Sequence, residues 1–165
     1  MVIVLWDRPF VRPDTDIGRV RYSRRTLEHV LVFDRSTPVT TSVSTDSITA
    51  TVQAYVDHLA AGDAEKIVGL FADGATVEDP IGSDLKTTRE ELLEFYGGVC
   101  AMSPSTELKW VRVAGDTAVF EFVLHTKAGD STFTVTPIDI MRFDDDAHVV
   151  SMRAVWDPEK DIAIS

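Results

Sequence analysis

The chain has 165 residues, 44% of them hydrophobic, which suits one soluble domain with its own core. Its net charge is −11, unevenly spread: residues 1–45 carry seven Arg against five acids, +2, and the other 120 residues carry −13. An acidic body of this kind repels phosphates and argues against nucleic acid. No apolar run approaches the ~20 residues of a membrane span, and the start does not read as a secretory signal. Cys100 stands alone, so it makes no internal disulfide or cysteine metal cluster, and a cytoplasmic location is expected.

Residues 1–44 show no clear period. Met1–Trp6 suggests a short strand and Ser23–Phe33 a short helix or strand, interrupted by Pro9, Pro13 and Pro38. A loosely ordered extension is expected over 1–44, with a compact domain over 45–165. The arginines at 19, 21, 24 and 25 read as a solvated segment.

Thr45 or Asp46 makes a good N-cap for a first helix, in which Ile48, Val52, Tyr55, Val56 and Leu59 share one face. Gly62 ends it and Asp63 opens a second helix, expected to run from Ala64 to Phe71. A short strand, Ala75–Asp79, follows and is broken by Pro80 and Gly82. Thr87-Thr-Arg-Glu90 has capping-box spacing and predicts a third helix with Leu92, Leu93, Phe95 and Tyr96 inward.

Strands follow. Leu108–Val113 and Thr117–His125 flank a hairpin turn, Thr132–Phe143 reads as one long strand, and His148–Trp156 follows the acidic turn Asp144–Asp146. Three helices and then an antiparallel meander predict an α+β fold, with the helices on one side of a curved, mainly antiparallel sheet and a cone-shaped cavity between. His58, His125 and His148 fit no metal site and read as surface residues. The Asp144–Asp146 run lacks the spaced ligands of a calcium loop.

Side chains alternate faces along a strand. Phe133, Val135, Pro137, Asp139, Met141 and Phe143 therefore share one face, which is apolar except for Asp139. An ionised carboxylate there must find a partner or keep its proton. Asp79 is likewise in phase with Ala75 and Val77, and Tyr55 lies on the buried face of its helix. Two inward acids and an inward phenol suit proton abstraction beside a carbonyl, with one carboxylate as base and two donors for the oxyanion. The residues alone leave other readings open: Tyr55 as plain core, Asp79 as shaper of a turn before Pro80, Asp139 as the ion-pair partner of Arg153.

Several pieces in this order resemble the bacterial Δ5-3-ketosteroid isomerases of the nuclear-transport-factor-2-like superfamily. They are Tyr55-Val-Asp-His-Leu-Ala-Ala-Gly-Asp63, Leu70-Phe-Ala-Asp-Gly-Ala-Thr-Val-Glu-Asp-Pro80, Glu94-Phe-Tyr96, Pro137-Ile-Asp-Ile-Met-Arg-Phe143 and Val149-Val-Ser-Met-Arg-Ala-Val-Trp156. The resemblance implies Asp79 as base, Tyr55 as phenolic donor and a protonated Asp139 as second donor. The opposite charge states of the two acids are an already described property of that enzyme type. It further implies Tyr96 as the partner of Tyr55, a Phe at 71 where some members have a further tyrosine, and Trp156, Met141, Val77, Phe95 and Phe122 as pocket walls. The implied reaction moves a steroid C=C bond with no metal or organic cofactor, in a homodimer. Two rivals are a same-fold cyclase or lyase on another carbonyl compound and a non-enzymatic steroid or lipid carrier.

Overall fold

The computed structural model describes residues 43–165, so the expectations for the extension lie outside the described residues except at Val43 and Ser44. The first helix, α1 (Thr45–Ala61), is capped by Ser44 and not by the expected Thr45 or Asp46, because the Ser44 hydroxyl reaches the Ser47 N–H at 3.0 Å. Its C-cap is Gly62, whose φ of 66° is the left-handed conformation that glycine adopts without steric cost. α2 (Ala64–Val68) is shorter than expected, since the chain turns at Gly69 and Phe71 already belongs to β1 (Phe71–Glu78). α3 (Arg89–Cys100) runs through Gly97 and Gly98, and its capping box is Thr88 with Glu91, one position beyond the expected pair.

The remaining strands are β2 (Ser105–Ala114), β3 (Thr117–Ala128), β4 (Ser131–Val135), β5 (Ile138–Phe143), β6 (Val149–Val155) and β7 (Ala163–Ile164). The single strand expected over Thr132–Phe143 is two, β4 and β5, because Pro137 has no N–H for the ladder. Both pair antiparallel with β3, β5 along its first half and β4 along its second, while β2 covers the other edge of β3. The order is β1-β6-β5-β3-β4-β7, with every pairing antiparallel except β1 with β6, which is parallel. The α+β plan with a mainly antiparallel sheet is thus borne out. A register shift between Leu108 and Trp110 lies in the long β2–β3 pair, the kind of irregularity that bends a sheet.

The helices lie on one side of this sheet: α1 packs on β2 and β3, and α3 on α2 and β1. Ile48, Val52, Val56 and Leu59 of α1 meet Phe120, Phe122, Met141 and Met152 of the sheet in one core. A cavity of about 430 Å³ lies between the helices and the sheet, lined by residues of α1, α3, β3 and β4.

Candidate active site

Asp139 lies in the middle of β5, directly opposite Phe120 on β3 and Ala154 on β6. It is 1% exposed, and neither of its oxygens has a hydrogen-bond partner among the described residues. Arg153, its candidate ion-pair partner, points to the opposite face and binds Glu78 at 2.7 Å. Burial therefore pushes the Asp139 carboxyl well above the ordinary aspartate range, and the nearby Asp79 charge pushes the same way. The Tyr55 phenol pulls it back only in part.

Asp79 is the residue just past β1. The parallel register Val77↔Met152 and Glu78↔Arg153 brings Asp79 alongside Ala154, and the Ile81 N–H bonds the Ala154 carbonyl at 2.9 Å. Ala154 is also the residue opposite Asp139. The two acids thus flank one alanine on the inner face, two strand spacings or about 10 Å apart at Cα. Their surroundings differ. Asp79 is only half-buried, lines the cavity and accepts a hydrogen bond from Trp156 Nε1 at 2.6 Å. Burial raises its pKa above the ordinary value, but the indole bond and the Lys86 charge oppose that rise.

Tyr55 is held by edge-on aromatic contacts: Phe120 at 6.0 Å, Phe122 at 6.1 Å and Tyr96 at 6.1 Å between ring centres. Phe120 is the cross-strand neighbour of Asp139, so the phenol is directed toward that carboxyl. Burial first, then the neighbouring Tyr96, Asp139 and Asp79, keeps Tyr55 protonated far above its ordinary range, which preserves it as a donor. Tyr96 sits behind it, fully enclosed, and its hydroxyl has no partner in hydrogen-bond geometry among the described residues. The Tyr55 phenol is close enough to Tyr96 to lower its pKa against the effect of burial, yet the contact falls short of a formed bond. Phe71 packs on Tyr96 at 5.8 Å, so no third hydroxyl extends the pair at that point.

The cavity wall includes Tyr55, Asp79, Phe95, Phe122 and Trp156, five of the nine residues singled out from the sequence. Asp139 and Tyr96 lie immediately behind this wall. Val77 and Met141, expected as walls, do not reach the cavity; they are wholly enclosed between strands. Each lies two residues along its strand from an acid, Val77 before Asp79 and Met141 after Asp139, on the side away from the opening. Alternation gives the face of a strand but not the depth along it. Phe133, Val135 and Pro137 line the cavity and were legible by phase as the apolar face shared with Asp139. Leu59, Pro80, Val99, Met102, Leu124, Thr126, Thr134 and Ile162 also line it and were missed. For Leu124 and Thr126, alternation from Phe122 was the available signal.

The arrangement sets the Asp79 carboxyl and the Tyr55 phenol in the wall of an apolar cavity, with the Asp139 carboxyl enclosed behind them, and the cavity has a volume typical of small-molecule sites. Residues 52–152 match the family described as the SnoaL-like domain. The Steroid Delta-isomerase of Nocardioides simplex is 44% identical over 111 residues, spanning 67% of this chain and 90% of that protein. Among solved structures, the epoxide hydrolase/cyclase-like enzyme SalBIII, described for its role in pyran ring formation in polyether salinomycin, superposes with a TM-score of 0.68. That match covers 73% of this chain and 97% of the other at 20% identity, a likeness of fold. The chain belongs to the SnoaL-like domain family of the nuclear-transport-factor-2-like superfamily, and it is an enzyme related to the steroid Delta-isomerases.

Proposed function

We propose that the protein isomerises 3-oxo-Δ5-steroids to their conjugated Δ4 isomers. Asp79 removes a proton from carbon 4. The electron pair moves into a dienolate whose oxygen is held by the Tyr55 hydroxyl and the protonated Asp139. Asp79 then returns the proton at carbon 6. The observation that carries this reading is the pair of acids flanking Ala154 in unlike surroundings, one half-buried and hydrogen-bonded to Trp156, the other enclosed and without a partner. Such a split lets one act as base while the other donates a proton-bearing bond. The apolar cavity suits a steroid skeleton, and the 44% identical relative is a Steroid Delta-isomerase.

Asp79→Asn is expected to lose most isomerisation, followed by ultraviolet absorbance of the conjugated enone, while still binding a planar phenolic steroid. Near-wild-type turnover in that variant would remove Asp79 from the mechanism. If a panel of other carbonyl compounds is turned over and Δ5-3-ketosteroids are not, the cyclase or lyase reading takes its place. The active form is proposed to be a homodimer, as the family resemblance implies, so light scattering should give twice the 18.2 kDa chain mass. A monomer mass at working concentration would contradict this.

A further inference from the structure

We infer that Thr126 is a specificity-determining residue, whose hydroxyl receives a neutral oxygen at the end of the substrate remote from the reacting ketone. The inference rests on the isomerase reading above and adds to it the class of substrate preferred.

The inward row of β3 is Ala118, Phe120, Phe122, Leu124 and then Thr126. The first four are apolar, and the cavity runs along the last three. Thr126 is 7% exposed, and apart from the tyrosines only Asp139 among the described residues is another buried residue with a polar side chain. Three other threonine hydroxyls in this sheet are paired: Thr106 bonds the Val56 carbonyl at 2.8 Å, Thr117 bonds Asp116 at 2.8 Å, and Thr134 pairs with His125 Nδ1 at 2.7 Å. Thr126 has no such side-chain partner among the described residues, and it lines the cavity. A hydroxyl in a greasy row costs stability relative to a methyl unless something bonds it.

The walls around it are apolar except for Thr134, whose hydroxyl is already paired with His125. Phe133 lies directly opposite Thr126, and Val135 opposite Leu124. Met102 is held beside them by the Lys127 N–H, which bonds the Met102 carbonyl at 2.8 Å. Among the described residues no Lys or Arg lines the cavity, so the group received is neutral, a ketone or an alcohol rather than a carboxylate or sulfate.

The spacing fits a rigid ligand. Phe120 faces Asp139, and Thr126 is six residues further along the same strand, about 20 Å at the usual rise per residue. After a hydrogen bond of about 3 Å at each end and the reach of two side chains, a fused four-ring skeleton fills the remainder. The ketone meets Tyr55 and Asp139 at one end, and an oxygen on the far ring or its substituent meets Thr126 at the other.

The test compares two 3-oxo-Δ5-steroids that differ only in an oxygen on ring D, using wild type, Thr126→Ser and Thr126→Val. Wild type is expected to favour the oxygenated substrate by roughly 3–10-fold in kcat/KM, the worth of one hydrogen bond, mostly through KM because the contact is remote from the chemistry. Thr126→Ser should keep that ratio and Thr126→Val should bring it near unity. A wild-type ratio near unity, or an undiminished ratio in Thr126→Val, overturns the inference. The Kd values of two planar phenolic steroids, with and without the ring-D oxygen, provide a second readout. If neither ketone is isomerised, the function proposed above fails while the Kd ratios still decide Thr126. Failure of both phenols to bind overturns the two together.

Discussion

Ala154 carries no functional group, yet it locates both acids. β6 pairs with β1 on one side and β5 on the other, so residues flanking one alanine come from sequence positions 60 apart. What then separates Asp79 from Asp139 is the next neighbour: Trp156 for one and apolar side chains for the other. The indole bond favours the ionised form of Asp79 and holds its pKa down. The proposed mechanism needs Asp79 ionised as its base, so kcat/KM should fall as pH drops through the Asp79 pKa, which lies above the ordinary aspartate value. Trp156→Phe removes the restraint and should move this acid limb to higher pH. A limb that stays where it was in the pH profile would mean that the indole does not tune the base.

Among the elements, capping and parity matter most. In α3, the Glu91 carboxylate accepts the N–H groups of Thr87 and Thr88 at 2.8 and 2.9 Å, and the Thr88 hydroxyl accepts the Glu91 N–H at 3.2 Å. Both Thr87–Glu90 and Thr88–Glu91 have the spacing of a capping box, so spacing did not choose between them; the extended backbone of Thr88 did. Thr88→Ala should cost about 1 kcal/mol, read from the urea midpoint at unchanged m-value. No measurable loss would mean that the box adds nothing to α3. In the sheet, Pro137 breaks the predicted long strand, yet the interruption spans two residues, Thr136 and Pro137. An even interruption preserves parity, so Phe133 and Val135 still face the same side as Asp139. The face was therefore legible although the strand count was not.

Stability is a property of the entire fold, and it should register the enclosed acid. Asp139 titrates near the ordinary value when unfolded and well above it when folded. Between those two values the folded state holds the extra proton, so stability falls as pH rises. The contribution is at full strength below the ordinary aspartate range and is lost as pH climbs through the raised folded value. Asp79 slopes the same way, so the comparison must be with a variant that keeps it. Asp139→Asn should flatten the pH dependence of the urea midpoint above the ordinary aspartate range. Equal slopes in the two proteins would show that Asp139 is not held protonated by the fold.

The chain's local chemistry was enough for three helices, the short strand before the third and the run of strands after it, for the inward phase of Tyr55, Asp79 and Asp139, and for the apolar face around Asp139, because period and capping depend on near neighbours. The motif order from Tyr55 to Trp156 was enough for the family. Pairing across the sheet lay beyond it: the parallel β1–β6 register, the Trp156 bond to Asp79, the enclosure of Val77 and Met141, and the place of Thr126 on the cavity wall. Those depend on contacts between residues far apart in sequence, which no local pattern encodes. The unlike surroundings of the two acids come from the folded packing, since burial and distance between side chains exist only once the strands are assembled.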